Sequence, residues 1–499
     1  MFSDAFCKEK LEMFLSVNEM DLVLPYLLQV TLAKNSEEAL CVIMASINKK
    51  FKKDLNDNNI AVWLGLDHTG NKTGELALVC FHSADTVATF SERFELRVIF
   101  RRFDETEMEP MESRLKEKRE TSFTKHDVAA IKRLISEHGK NLFTIHSNLE
   151  AISASPIRST KHGILNETSI VLYCRLKGVI PYGEEFFPKE LEVEQQRYPT
   201  DIREGFFSLG MRRAQRQRSN PHPNFVNNPL RMGCSIGVSG FQFAGTLGPF
   251  VRLDDSNIGF LTCAHVLGIK TSSPNRKVVQ PSDIETGLPG GRRLCGTFVR
   301  ENFDTSTAIG VDAALVRIDR TKRNVALGLF VWRDSNQPRN IGMFAGNSPS
   351  FVDGEVIGNP DLQRLWERRD VCKFGRSTGL TQGLLLLENA MLRVHDAHLS
   401  LPDTMPLPHG HPNNNFIMKG QFIIQNVGTE PFFTPGDSGA GVYVIRNHGH
   451  GESKLALIGI ATGSLTTGEC VMTPIGIVLE ALQLEETDII TEGSMDIDP

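Results

Sequence analysis

The sequence predicts a multidomain chain, with a mixed α/β region followed by a larger all-β one. Up to about residue 190, apolar residues recur at helix-face spacing in two stretches and at strand spacing in several others. Beyond about residue 231 they fall in short runs separated by Gly, Pro, Asn and Asp, the pattern of a β-sandwich or barrel. A chain of 499 residues also exceeds one domain, at roughly 150 residues each.

In the first region, residues 35–55 read as a helix. Leu40, Ile43, Met44, Ile47 and Phe51 share a face, and Asn35 and Glu38 form a capping pair. Residues 60–66, 75–81 and 94–103 read as strands. A second helix is expected over 124–138, with Val128, Ile131, Leu134 and Ile135 inward and Gly139 as its stop. A further strand follows over 169–180. The charge-dense stretch 105–121 reads as a solvated face or loop. This gives an α/β accessory domain over 1–190, of unassigned role.

Residues 191–230 read as a basic, Pro-containing linker, because Met211 to Arg218 holds four arginines and Pro221 and Pro223 follow. The third region, 231–485, has its apolar runs at 258–262, 313–318, 384–387, 420–425, 441–445 and 455–460. Residues 486–499 form an acidic tail, expected to be disordered.

Composition excludes several classes. Hydrophobic residues make up 40% and charged residues 23%, and the net charge is −6, so nucleic acid is not an expected partner. No apolar run reaches the roughly 18 residues of a membrane span, and the charged N-terminus lacks the apolar core of a secretory signal. The nine cysteines are irregularly spaced and odd in number, which suits reduced thiols in the cytoplasm or nucleus. The sequons at Asn71 and Asn166 then go unused.

The chemistry concentrates in three segments. Thr434-Pro435-Gly436-Asp437-Ser438-Gly439-Ala440-Gly441 places a serine in a glycine-rich turn, where a hydroxyl is exposed and a substrate carbonyl can approach the backbone. The N–H groups of Gly436 and Ser438 would stabilise the oxyanion of acyl transfer. A serine needs a base, and a histidine base needs a buried carboxylate to set its tautomer. His265, in Leu261-Thr262-Cys263-Ala264-His265-Val266, and Asp312, in Val311-Asp312-Ala313-Ala314-Leu315-Val316, fill those roles. Asp304 and Asp319 lie near, but Asp312 alone opens an apolar run.

These segments resemble the signatures of chymotrypsin-like (trypsin-fold) serine proteases, in the same His, Asp, Ser order. Gly245 to Val251, Gly259 to Thr262, Lys373 to Gly383 and Pro435 to Gly439 are closest to an intracellular subgroup with bacterial trypsin-like proteins and plant narrow-leaf proteases. The resemblance covers about 231–485. It implies an all-β double barrel with the site between its halves, and a structural hairpin around Arg376 and Ser377. It implies a pocket floor at Phe432, six residues before the serine, and a pocket wall at 460–464, with Thr462 and Gly463 as specificity residues. No carboxylate stands at the floor, so a small or apolar residue is expected before the cleaved bond. The chain departs from secreted members in two ways. Cys263 has no evident disulfide partner and reads as a buried small residue. No Ile-Val-Gly-Gly start lies near residue 231, so Asp437 must be held by other donors, or the enzyme stays latent until a partner orders the oxyanion loop.

The implied function is an intracellular serine endopeptidase acting on protein or peptide, without metal or organic cofactor. A regulatory partner or ligand could act on the N-terminal domain. The alternative is a catalytically idle protease-fold scaffold recruited through that domain. His409-Gly410-His411 and His448-Gly449-His450 lack a second ligand pair at zinc spacing and read as loop histidines.

Overall fold

In the computed structural model, the residues described are 37–54, 60–69, 74–82, 97–102, 123–160, 163–210, 224–241, 243–269, 275–286, 293–331, 350–358, 370–394, 416–427, 431–447 and 453–492. The charge-dense stretch 105–121, the basic run 211–218 and both His-Gly-His motifs lie outside them.

The chain begins with α1 (Glu37–Asp54), β1 (Ala61–Asp67), β2 (Glu75–His82) and β3 (Arg97–Arg102). Next come α2 (Lys125–Ile145), β4 (Leu149–Ser155), β5 (Arg158–Thr160), β6 (Gly163–Leu165), β7 (Ser169–Cys174) and β8 (Val179–Pro181). Strands β9 (Glu190–Val193), β10 (Gln196–Glu204) and β11 (Phe207–Leu209) follow.

One sheet runs β3-β2-β1-β8. Ile43, Met44, Ile47 and Phe51 of α1 cover one face of it, against Val62, Leu64, Leu78 and Cys80. Trp63, Val79 and Phe81 pack with Leu176 and Val179 on the other. Two covered faces explain why β1 is apolar almost throughout rather than alternating.

Thr124 and Asp127 close a capping box at the start of α2. The helix passes through Gly139, the expected stop, and continues to Ile145. A Cβ at Gly139 would lie 2.3 Å from the Met391 sulfur, so the glycine serves close helix–sheet packing rather than termination. The strand expected over 169–180 is two strands, β7 and β8, in different sheets.

The remaining strands are β12 (Leu230–Met232), β13 (Ser235–Val238), β14 (Gly245–Thr246), β15 (Phe250–Arg252), β16 (Ile258–Thr262), β17 (Lys277–Val279), β18 (Leu294–Asp304), β19 (Val311–Ile318) and β20 (Val325–Phe330). Then come β21 (Glu355–Val356), β22 (Asp370–Gly375), β23 (Gly379–Val394), β24 (Phe416–Asn426), β25 (Gly441–Asn447), β26 (Ser453–Leu465) and β27 (Cys470–Pro474). Two short helices accompany them, α3 (Asp283–Thr286) and α4 (Ile475–Ala481). The described residues are thus mostly β with few helices. None of their helices is long and apolar enough to cross a membrane.

Strands β14-β13-β17-β18-β19-β16-β15 form a seven-stranded sheet. Strands β22-β25-β26-β27-β24-β23 form a second, and pairing of β22 with β23 closes it into a ring. β25 shows how the two meet. Val442 and Val444 pack inside the ring, while Tyr443 and Ile445 join the core of the seven-stranded sheet. Successive side chains face opposite ways, and both faces are buried.

Three expectations change here. The sheet of the ring does not end at the first region, because Met391 and Leu392 of β23 pair with Ile152 and Ala151 of β4. Strands β7, β10 and β9 extend it. Second, much of the expected linker 191–230 is strand, in β9, β10 and β11. The alternating pattern of β9, with Leu191 and Val193 buried against α2, was the available signal. Third, the acidic tail is ordered in its first part. Ile489 and Ile490 are buried, and the Ile490 N–H donates to the Phe250 carbonyl at 3.0 Å.

Candidate active site

β16 and β19 are antiparallel neighbours whose register ends at Thr262 opposite Ala314. Continued past that pair, the register puts Asp312 alongside Ala264, and the one helical turn His265–Leu267 sets His265 beside it. The His265 N–H donates to Asp312 Oδ1 at 3.1 Å. The ring Nδ1 makes a very short contact with Asp312 Oδ2. Both side chains are fully buried. With Asp312 ionised, Nδ1 is the donor, which leaves the Nε2 lone pair as the basic position. Nε2 is buried without a hydrogen-bond partner among the described residues.

The serine turn is held by β14 on one side and β26 on the other. The Thr246 N–H donates to the Ser438 carbonyl at 2.8 Å, and the Gly439 N–H to Ala461 at 2.9 Å. Gly436 and Gly439 both have left-handed φ, +103° and +93°. A side chain at Gly439 would strike Thr262 and the Thr246 carbonyl at 2.3 and 2.4 Å, so this turn admits only glycine there. The Ser438 hydroxyl donates to the Thr462 carbonyl at 2.9 Å rather than to His265.

Asp437 is fully buried and ion-paired with Lys373 at 2.9 Å, itself fully buried. Thr378 Oγ1 donates to Asp437 Oδ2 at 2.7 Å, and the N–H groups of Ser377, Thr378 and Thr434 donate at 2.8, 3.2 and 3.1 Å. Burial by itself raises the Asp437 pKa. Lys373 and these donors outweigh it, and the carboxyl sits below its ordinary range. All but the Thr434 N–H come from the β22–β23 hairpin, whose turn is closed by Gly375 opposite Gly379. Arg376, at that turn, is buried and ion-paired with Glu285. Lys373 was missed in the sequence, although a lone lysine among Val371, Cys372 and Phe374 was a visible signal.

Phe432 is fully buried, with its N–H on Asn426 Oδ1 at 2.7 Å and its carbonyl on Thr381 Oγ1 at 2.8 Å. Thr462 is buried, and its hydroxyl donates to Val471. Gly463 lies against β11, and a Cβ there would meet the Ser208 carbonyl at 2.3 Å. Phe433, not singled out in the sequence, lies beside Ser438. A Cβ built on Gly210 would be 2.2 Å from the Phe433 ring and 2.4 Å from Ser438 Oγ.

Cys263 is buried, and burial, reinforced by Asp312, pushes its thiol well above the ordinary range. It is a neutral packing residue. The ligand atoms of Cys263, His265 and Asp312 lie within 4.8 Å of one another. Nδ1 and Asp312 are already committed to each other, and a neutral thiol is a weak ligand, so these residues suit proton transfer better than metal binding. Cys174, Cys234, Cys295, Cys372 and Cys470 are likewise free and buried, and Cys80 is buried too.

Neither a protein-family model nor a curated protein matches this chain. Among solved structures, Thermobifida fusca protease A is similar at 16% identity, over 53% of this chain and 100% of its own, with a TM-score of 0.29. Cellulomonas bogoriensis chymotrypsin matches at 17% identity over 53% and 99%, with a TM-score of 0.27. Nocardiopsis protease matches at 17% identity over 52% and 96%, with a TM-score of 0.28.

Proposed function

We propose that the chain is a serine endopeptidase of the chymotrypsin-like kind, acting through an acyl-enzyme. Ser438 is the nucleophile, His265 moves the proton, and Asp312 fixes the histidine's tautomer and stabilises its cation. The N–H groups of Gly436 and Ser438 receive the oxyanion. The observation that carries this reading is the buried His265–Asp312 pair, whose remaining ring nitrogen is unpartnered among the described residues. The Ser438 hydroxyl must rotate from the Thr462 carbonyl toward His265 to react.

Proteins or peptides are the substrates in this reading, and the acyl-transfer steps require no metal or organic cofactor. The Lys373–Asp437 pair supplies what maturation by cleavage would otherwise supply, so the oxyanion turn forms without a new amino terminus. Free, buried cysteines favour action in the cytoplasm or nucleus. A fluorescent fusion found outside the cell would count against that location. The four-stranded N-terminal sheet is where a regulatory partner or ligand would bind. If deleting it left activity and partner dependence unchanged, that role would be lost.

A second reading, the idle scaffold, draws on the Ser438–Thr462 hydrogen bond, which leaves the hydroxyl turned away from its base. A fluorophosphonate probe separates the two. Labelling at Ser438, abolished in Ser438→Ala, is expected of the protease. Folded protein that takes up no label would support the scaffold.

A further inference from the structure

We propose that this chain is its own substrate, and that the Ser438 site cuts the peptide bond joining Gly210 to Met211. The inference rests on the serine peptidase reading and names a substrate for that site.

The geometry is that of a bound acyl-side peptide. β11 lies antiparallel on β26, with Phe207 opposite Leu465, Ser208 opposite Ser464 and Leu209 opposite Gly463. The ladder extends at both ends. Phe206 donates its N–H to Thr466 Oγ1 at 3.1 Å and receives the Thr466 N–H on its carbonyl at 3.0 Å. The Gly210 N–H donates to the Thr462 carbonyl at 3.1 Å. An extended segment added to a sheet edge is a general mode of peptide recognition.

At Gly210 the segment does something a purely structural strand has no need to do. Its carbonyl oxygen turns to the Gly436 N–H, at 2.5 Å. That donor belongs to the nucleophile's own turn, where the oxygen of an attacked carbonyl would sit. The Ser438 hydroxyl is close enough that a Cβ on Gly210 would fall 2.4 Å from it. Backbone, donor and nucleophile therefore converge on one carbonyl.

Two glycines make this possible. Gly463 lets the segment lie down, since a Cβ there would meet the Ser208 carbonyl. Gly210 has no side chain to collide with the Phe433 ring, which fills the space a larger residue would need. The site thus selects glycine before the cleaved bond, a sharper form of the small-residue preference expected from the sequence.

The chemistry balances with water as the one co-reactant. Ser438 Oγ bonds to the Gly210 carbonyl carbon while its proton passes to His265 Nε2. The bond to the Met211 nitrogen breaks, and that nitrogen takes the proton and leaves as a free amine. Water then attacks the ester, giving the Gly210 carboxylate and restoring the serine. The 1–210 product stays attached, because β4 is hydrogen-bonded to β23.

The test follows the freshly made full-length chain by intact mass and N-terminal sequencing, alongside Ser438→Ala and Gly210→Val. Wild type is expected to yield fragments 1–210 and 211–499, at a first-order rate unchanged over about 100-fold dilution, as an intramolecular step requires. Both variants are expected to stay whole. Gly210→Val, whose side chain expels the segment, should still take fluorophosphonate at Ser438. An uncut wild type with a labelled Gly210→Val overturns self-cleavage and leaves the peptidase reading standing. If neither protein labels, the peptidase reading itself fails. Cutting that persists in Ser438→Ala, or whose rate rises with concentration, also overturns the proposal.

Discussion

Asp312→Asn is expected to lower the rate of acylation about 10⁴-fold while the fold survives. The argument is one of proton placement. Asp312 accepts twice from His265, at the backbone N–H and at Nδ1. Asparagine keeps one acceptor, so the backbone N–H retains its partner. Its amide nitrogen is a donor, and at the other contact it faces Nδ1. The imidazole must then present the Nδ1 lone pair and carry its proton on Nε2, where it cannot accept from Ser438. The cation formed during attack also loses its counter-charge in a fully buried place. The measurement is the second-order rate of fluorophosphonate labelling at Ser438, with thermal unfolding followed in parallel. A rate within about tenfold of wild type would remove Asp312 from the mechanism.

What the sequence made legible, and what it did not, divides by the range of the interactions. The His265, Asp312 and Ser438 segments could be read because each carries a local reason for its conformation: an apolar strand ending in a polar residue, or a turn that needs glycines. The register of β16 and β19 then brings the first two together. The helices were legible by their faces, yet the end of α2 was not. Gly139 has one local meaning, as a stop, and another that depends on Met391 passing close by in a strand far along the chain. The linker expectation failed for a similar reason. Residues 190–209 are short, charged on one side and adjacent to a basic run, and only their pairing with β7, β26 and one another makes them strands. Phe433 escaped notice because its importance lies in facing Gly210, which no local pattern encodes.

Lys373→Met should be costly in both stability and turnover, and the two losses have one origin. The substitution keeps a side chain of similar length and removes the charge that, among the described residues, is paired with buried Asp437. Breaking such a pair leaves an ion without its counter-ion and costs about 3–5 kcal/mol. The three N–H donors and the Thr378 hydroxyl remain, so Asp437 is not bare, but they cannot neutralise it. The turn relaxes, Gly436 no longer presents its N–H, and turnover drops about 10²–10³-fold, as for loss of one oxyanion donor. A double change, Lys373→Met with Asp437→Asn, should recover much of the stability, because the amide needs no counter-ion. The pH dependence has a definite sign. In wild type the folded pKa of Asp437 is below its ordinary value of 3.8. Its contribution is therefore full above the ordinary carboxylate range and is lost only as pH falls through the lower folded value. In Lys373→Met, burial acts without Lys373 to oppose it, the carboxyl titrates higher, and acid unfolding begins at higher pH than in wild type. Urea unfolding across pH, for wild type and both variants, reads this directly. Coincident acid limbs for wild type and Lys373→Met would mean that the pair does not hold the oxyanion turn.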